Sequence, residues 1–501
     1  MGDYVDTEAC APEAEGVPDL NPVRRLVRPG QWGVSAPCST EDFKVNGQKQ
    51  KPLAKDWTHR LSPESRSRTG SSLKAAFKHL QNPDAISLGG GLPLSEFFPF
   101  ETLSYTSIFA SNNKNSDTTI SHKGCALQAG KNDIADAKGS GSPQLLRWIT
   151  EHTEIVHDPP YRDWQCTMTI GNTSALDMAL RMLTRTGDYV LSDNYTFATA
   201  VETALPMGVK FTGVDMDGEG LLPKSLRDVL DDWDPEKHGG ARKPGLLYLI
   251  HTGQNPTGET RSLQRRKDIY QVAQEHDLII LEDDPYYFLQ MDAYIPRTAG
   301  DVSASETPHL PEDLLKLIVP SYLSIDIDGR IMRMDSFSKV VSPGSRIGWV
   351  TAPQAIIERY KNHADVSTQG PSGFSQLAFF KLLDEFWGHI DYMVRACEQY
   401  LPRDIVTWEP AQAGMFQWLR VDWEKHPDAL TKPLHKIEEQ IWEEAIKQGA
   451  LVARGSWFNA NGDNPNKGIF YRTTFAAAPL GKIEEAVKRF GYALRVSFQT
   501  V

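Results

Sequence analysis

Asp335-Ser336-Phe337-Ser338-Lys339, followed a short loop later by Pro343-Gly344-Ser345-Arg346-Ile347-Gly348-Trp349, is the stretch from which the fold of this chain is read. It continues a short, largely apolar strand at Ile331 to Met334. Ser336 and Ser338 place two small hydroxyls beside Lys339, and Arg346 adds a planar cation that never loses its charge. A pyridoxal phosphate site needs these parts together: an amine to condense with the aldehyde, and donors to hold the phosphate. Lys339 alone would read as a solvated surface lysine. The composite SxSK…PGxRxGW carries the cofactor reading.

Two further segments agree with it. His251-Thr252-Gly253-Gln254-Asn255-Pro256-Thr257-Gly258 follows the apolar run Leu246 to Ile250. Leu278-Ile279-Ile280-Leu281 ends in Glu282-Asp283-Asp284-Pro285-Tyr286-Tyr287. Both are buried-strand patterns that end in polar residues. In an open α/β sheet, ligands lie off the carboxyl ends of the strands, which places Asn255 and Asp283 beside the cofactor. A carboxylate facing the pyridine nitrogen keeps it protonated, so that the ring withdraws electrons. An amide and a phenol, Asn255 and Tyr286, can hydrogen-bond the ring hydroxyl. Taken singly, Asn255-Pro256 is a turn and Asp283 a strand-end acid; together they describe a site.

With these motifs in order, the chain resembles a fold-type I, class I/II aminotransferase dependent on pyridoxal 5'-phosphate. It is most similar to the fungal subgroup acting on aromatic amino acids, 2-aminoadipate and kynurenine. The resemblance runs from about Asp56 to the C-terminus. It implies an α/β fold: a large domain with a mostly parallel central sheet flanked by helices, plus a smaller α+β domain. It implies that Ile86-Ser87-Leu88-Gly89-Gly90-Gly91-Leu92-Pro93 lies near the substrate, Gly91 included. Gly171-Asn172-Thr173-Ser174 matches the phosphate loop and opens a helix, whose free amides and dipole favour an anion. Phe197 falls where the family stacks an aromatic ring on the pyridine, with Tyr195 as the competing candidate and core packing as the plainer role. Arg472, in Gly468-Ile469-Phe470-Tyr471-Arg472-Thr473-Thr474-Phe475, matches the arginine that grips the substrate α-carboxylate with its two-pronged guanidinium.

Composition is consistent with this. The chain has 501 residues, enough for two domains and a large core. Its formal net charge of -12 argues against a nucleic-acid face. Cys10, Cys38, Cys125, Cys166 and Cys397 are odd in number and lack metal-ligand spacing, so a reducing compartment and no metal site are expected. No apolar run approaches membrane length. Met1 to Glu15 is acidic and polar, unlike a signal peptide, and the C-terminus carries no peroxisomal tripeptide. The expected location is cytoplasmic.

The expected organisation has four parts. Residues 1–56, rich in Pro, Gly and charge, are mostly disordered. Residues 57–140 form an N-terminal arm and part of the small domain, with a helix at Ser71 to Leu80. Residues 141–360 form the large cofactor domain, where helical and apolar strand patterns alternate. Tyr294 to Pro311 reads as a loop insertion, with Glu312 to Tyr322 packing back. Residues 361–501 form the small domain, with strands at Met415 to Val421 and Ile469 to Phe475. Two departures from the family pattern stand out. Lys131 to Lys138 replaces a tyrosine-bearing segment that crosses a homodimer interface, and a longer helix is cut short after His389.

The implied chemistry is amino transfer from an aromatic amino acid, 2-aminoadipate or kynurenine to a 2-oxo acid such as 2-oxoglutarate. Lys339, Asp283 and Tyr286 are the catalytic candidates. Asn172, Thr173, Phe197, Asn255, Ser336, Ser338 and Arg346 join them around the cofactor, and Gly91, Asn255 and Arg472 meet the substrate. Three other readings share the motifs. One is a lyase or synthase of the same fold, like aminocyclopropane carboxylate synthase. Another is a cofactor-binding protein weakened by the two apparent deletions. The third, a ligand-sensing regulator, would need a helix-turn-helix domain for which residues 1–56 are too short and Pro-rich.

Overall fold

The computed structural model describes residues 39–44, 48, 50–69, 102–105, 118–121, 141–290, 318–386, 406–407, 413–461, 468–474 and 480–499. At its centre is a seven-stranded sheet of β1 (Trp164–Thr169), β2 (Tyr189–Asp193), β3 (Lys210–Val214), β4 (Leu246–Leu249), β5 (Ile279–Asp283), β6 (Ile331–Ser336) and β7 (Gly348–Pro353). The spatial order is β1-β7-β6-β5-β4-β2-β3. Only β7 runs against its neighbours β6 and β1; the other pairings are parallel. The carboxyl ends of β1, β2, β4, β5 and β6 therefore share one edge, and β7 begins there.

Both faces of this sheet are covered, which is why its strands read as continuous apolar runs. After a short first helix, α1 (Pro63–Ser67), longer helices form two layers, and the two-residue alternation sorts the strands' side chains between them. Leu246, Tyr248, Ile279, Leu281, Met332 and Met334 face the layer containing helix α3 (Asn172–Leu183). Leu247, Leu249, Ile280 and Ile331 face the opposite layer, with helix α2 (Pro143–Val156). Helix starts follow local chemistry. Ser142 caps α2 by accepting from the Leu145 amide, with Pro143 in the first turn. Gly171, at φ +98°, opens α3 with no side-chain cap, leaving its first amides available.

A second sheet is antiparallel throughout. It contains β8 (Val406–Thr407), β9 (Phe416–Val421), β10 (Ala453–Arg454) and β11 (Ile469–Thr474), in the order β8-β9-β11-β10. Leu419, Val421, Ile469 and Tyr471 pack on helices Leu434–Lys447 and Leu480–Ser497. The opposite face, Phe416, Trp418, Phe470 and Arg472, turns to the large sheet's edge. The two units meet at backbone level: Gly414 N donates to Leu289 O at 2.9 Å, and Gly253 and Gly414 approach so closely that a Cβ on either would overlap the other's backbone.

The strands and helices expected from residue 164 onward are present, with ends shifted by a few residues. Part of the stretch 1–56, expected to be mostly disordered, is described and docked on the large sheet. Thr40 Oγ1 accepts from the Cys166 amide on β1 at 2.8 Å, and Phe43 is 5% exposed in the α2-side core. Two buried anchors in a polar stretch are too few to show as a periodic pattern. The helix at Ser71 to Leu80, the insertion at Tyr294 to Pro311, Gly91 and both departures from the family pattern lie outside the described residues. The return after the insertion is described at its end, where Tyr322 is buried and its amide donates to Glu282 at 2.8 Å. Replacing Phe43 by Ala is expected to cost about 3–5 kcal/mol. Urea unfolding measures this, and an unchanged midpoint would refute the docking of residues 39–44.

Candidate active site

The expected residues converge on the shared strand edge. Lys339 lies in the turn just after β6. Burial lowers its ammonium pKa, as do the nearby Arg472 and Arg346 cations, while Asp283 opposes them. Those three influences place an amine, an acid and two guanidiniums around one space.

On one side is a cradle for an anion. Ser336 Oγ accepts from the Ser338 amide at 3.1 Å and donates to Ser338 Oγ at 2.9 Å. Arg346 Nη1 donates to Ser338 Oγ at 3.3 Å and to Pro343 O at 3.0 Å. Its Nη2 lies 2.3 Å from where a Cβ on Gly171 would sit, so the glycine is what lets the guanidinium reach the start of α3. Thr173 is exposed in that first turn. Hydroxyls, helix amides and a guanidinium at one point fit a phosphate group.

Deeper in, Asp283 is 4% exposed. Asn172 Nδ2 donates to its Oδ1 at 2.7 Å and to Met334 O at 2.9 Å, and Tyr248 Oη donates to Asp283 Oδ2 at 2.7 Å. Burial pushes the Asp283 carboxyl upward, and these two hydrogen bonds pull it back. The Asn172 side chain is thus committed to Asp283, and only its backbone amide remains for an anion. Tyr248 was not among the sequence candidates. The signal was there: a polar ring inside an otherwise apolar buried strand.

Facing this from the second sheet is Arg472. Its Nη1 donates to Asn255 Oδ1 at 2.7 Å, and Asn255 also bonds Tyr286. The guanidinium lies 4.3 Å from the Phe416 ring centre and 4.7 Å from that of Phe458. Burial lowers its pKa, opposed by Tyr286. No carboxylate of the described residues forms an ion pair with it. Next to it Trp418 and Phe470 stack at 5.4 Å, and the Tyr195 ring packs on both. Tyr195 therefore belongs to the wall around Arg472. Phe197 lies just past it, half-buried against the α3-side core.

Behind the site, on the α2-side face of the sheet, lies a buried ion cluster. His251 Nε2 is 3.0 Å from both Glu282 Oε1 and Asp284 Oδ2. Arg333 Nη1 is 2.9 Å from Glu282 and its Nη2 2.7 Å from Asp335. Burial would raise the Asp284 carboxyl, but His251 and Arg333 hold it at about 2. His251, Glu282 and Asp284 are ligand types for a metal, but Arg333 already fills the space between the acids.

The profile of the family described as "Aminotransferase class I and II" matches residues 159–490. An aromatic amino acid aminotransferase of Schizosaccharomyces pombe is 41% identical over 476 residues, covering 89% of this chain and 99% of that protein. The bovine mitochondrial kynurenine/alpha-aminoadipate aminotransferase is 30% identical, covering 82% of this chain and 92% of that one. The crystal structure of the aminotransferase Aro8 from Candida albicans superposes with a TM-score of 0.78 at 39% identity, over 90% of this chain and all of that one. The chain belongs to the class I and II aminotransferases. Its cofactor is pyridoxal 5'-phosphate, and the cradle at Gly171, Ser336, Ser338 and Arg346 fits the phosphate. Gly171→Ala puts a methyl on the Arg346 guanidinium and strains a backbone at positive φ. It is expected to weaken cofactor binding about tenfold to a hundredfold, the loss of one charge-assisted hydrogen bond. Reconstitution of apoprotein followed by absorbance checks this; undiminished affinity would rule the cradle out.

Proposed function

We propose that this aminotransferase takes the amino group from an aromatic L-amino acid, kynurenine or 2-aminoadipate and passes it to a 2-oxo acid such as 2-oxoglutarate. The setting of Arg472 carries this reading. A half-buried guanidinium with no carboxylate partner among the described residues keeps its two-pronged charge for an anionic substrate. Phe416, Phe458, Trp418 and Phe470 surround it with ring surface, which suits a flat apolar side chain. The aromatic amino acid and kynurenine specificities in the relatives' names point the same way.

Bound pyridoxal phosphate supplies an electron sink next to the substrate α-carbon. The residues of this chain do the rest. Ser336, Ser338, Arg346 and the start of α3 hold the phosphate. Asp283 would meet the ring nitrogen and keep its proton in place. Asn255 and Tyr286 would hydrogen-bond the ring hydroxyl. Lys339 Nζ takes the proton from the α-carbon and returns it on the other side of the transfer. Its lowered pKa favours the neutral amine that this step needs. Arg472 binds the carboxylate shared by the amino acid and the 2-oxo acid, so it serves both halves of a ping-pong cycle. As a class I and II enzyme, the protein is also proposed to work as a homodimer, by its resemblance to the family, and its cysteine usage suits the cytosol.

Three experiments test this. Borohydride added to the holoprotein is expected to fix the cofactor on the peptide containing Lys339 and to leave Lys339→Ala protein unlabelled. Label on another lysine refutes the assignment. Arg472→Ala is expected to weaken amino acid and 2-oxo acid binding alike, by about 2–5 kcal/mol, with the cofactor retained. Unchanged KM for both substrates would contradict its role. A panel of amino acids with 2-oxoglutarate, followed by 2-oxo acid formation, reads out the preferred side chain.

A further inference from the structure

The Asp283 carboxylate is held by two donors from two different layers of the fold. Asn172 comes from the first turn of α3 and meets Oδ1; Tyr248 comes from β4 and meets Oδ2, each at 2.7 Å. Tyr248 is 0% exposed, on the strand next to β5, where it pairs across from Leu281. Asp283 is two residues further along, roughly 6.6 Å at the usual strand rise. The tyrosine ring spans that step and its hydroxyl closes it. Phe211 packs edge-on against the ring at 6.1 Å, fixing its plane. Asn172 is fixed as well, because its amide also donates to Met334 O on β6 at 2.9 Å. Three neighbouring elements thus set the direction of one carboxylate.

We propose that Tyr248 is a positioning residue of this enzyme: with Asn172 it orients the Asp283 carboxylate so that a free lone pair of the acid faces the cofactor ring nitrogen. A carboxylate offers about four acceptor sites. The two donors take one on each oxygen and leave the rest for the ring N–H. The donors also counter the desolvation that pushes the buried carboxyl toward protonation. Burial and the adjacent Asp283 keep the Tyr248 phenol protonated, so it remains a donor. The inference rests on the assignment of Asp283 to the ring nitrogen, and its test separates the two.

The test uses holoprotein carrying Tyr248→Phe, which removes the hydroxyl and keeps the ring, alone and combined with Asp283→Asn. The readouts are the pH midpoint of the bound cofactor's absorbance band, and kcat and KM for the amino acid. Tyr248→Phe is expected to shift the midpoint and lower kcat about tenfold to a hundredfold, as for a lost hydrogen bond to a charged group. KM should hold, because Arg472 is untouched. In the Asp283→Asn background, adding Tyr248→Phe should change neither readout further. An unmoved midpoint in Tyr248→Phe, or an equal effect with and without Asp283, overturns the inference. If Asp283→Asn alone leaves the absorbance profile unchanged, the underlying assignment of Asp283 falls instead. If Tyr248→Phe protein does not fold, Asn172→Ala reads the other donor: it is expected to shift the midpoint in the same direction, and an unmoved midpoint there overturns the clamp.

Discussion

The two-residue period of a β-strand, applied to Glu282-Asp283-Asp284, is the constraint from which the rest of this site follows. Three adjacent carboxylates at the buried end of β5 would repel one another if they shared a face. Alternation sends Asp283 to the α3 side, where Asn172 and Tyr248 meet it, and Glu282 and Asp284 to the other side. The same period repeats on β6: Ser336 stands on the cofactor side, while Arg333 and Asp335 join the cluster behind. One sheet thus separates a single functional acid from a neutralising network less than a side chain away.

That network makes the arrangement tolerable. Buried carboxylates are costly unless paired, and here Arg333 spans Glu282, Asp284 and Asp335 while His251 bridges the first two. Glu282 also accepts the amides of Tyr322 and Leu323, which ties the chain returning after residue 317 to the end of β5. Thr252 Oγ1 donates to Asp284 at 3.0 Å, tying in the loop that carries Asn255. The loops that present Asn255, Asp283 and Lys339 are therefore braced from behind by the same charges. On the open side, the Gly253–Gly414 approach and the Arg472–Asn255 bond bring in the second sheet, so Arg472 is held near Lys339 at the strand edge.

Much of this was legible in the sequence because it is local. The strand-to-loop motifs ending in Asn255, Asp283 and Lys339 carry their own placement, since a parallel sheet puts such loops on one edge. Arg472 was legible through the resemblance to the family, since a lone arginine in a strand also suits a surface ion pair. What the sequence hid is what depends on register between strands. The hydroxyl of Tyr248 stands out in an apolar strand, but its partner is visible only once β4 lies beside β5. The side chain of Asn172 points to Asp283 because α3 starts under β6, which no motif states. Tyr195 and Phe197 are two residues apart, and only the packing of Trp418 and Phe470 tells them apart. Thr40 and Phe43 dock as isolated anchors, without the repetition that a pattern reading needs. The motifs around the cofactor are common to lyases of this fold; the similarity to named aminotransferases over nearly the whole chain separates those readings.

Amino transfer by this chain requires that this edge of the sheet hold an amino group between two substrates. A half-reaction measures that. Holoprotein is mixed with an aromatic amino acid and no 2-oxo acid, and the 2-oxo acid product is counted per cofactor. One equivalent and then arrest is expected, with no ammonia released, and resumption when 2-oxoglutarate is added. Continuous product formation with release of ammonia, or no product at all, refutes the storage of the amino group.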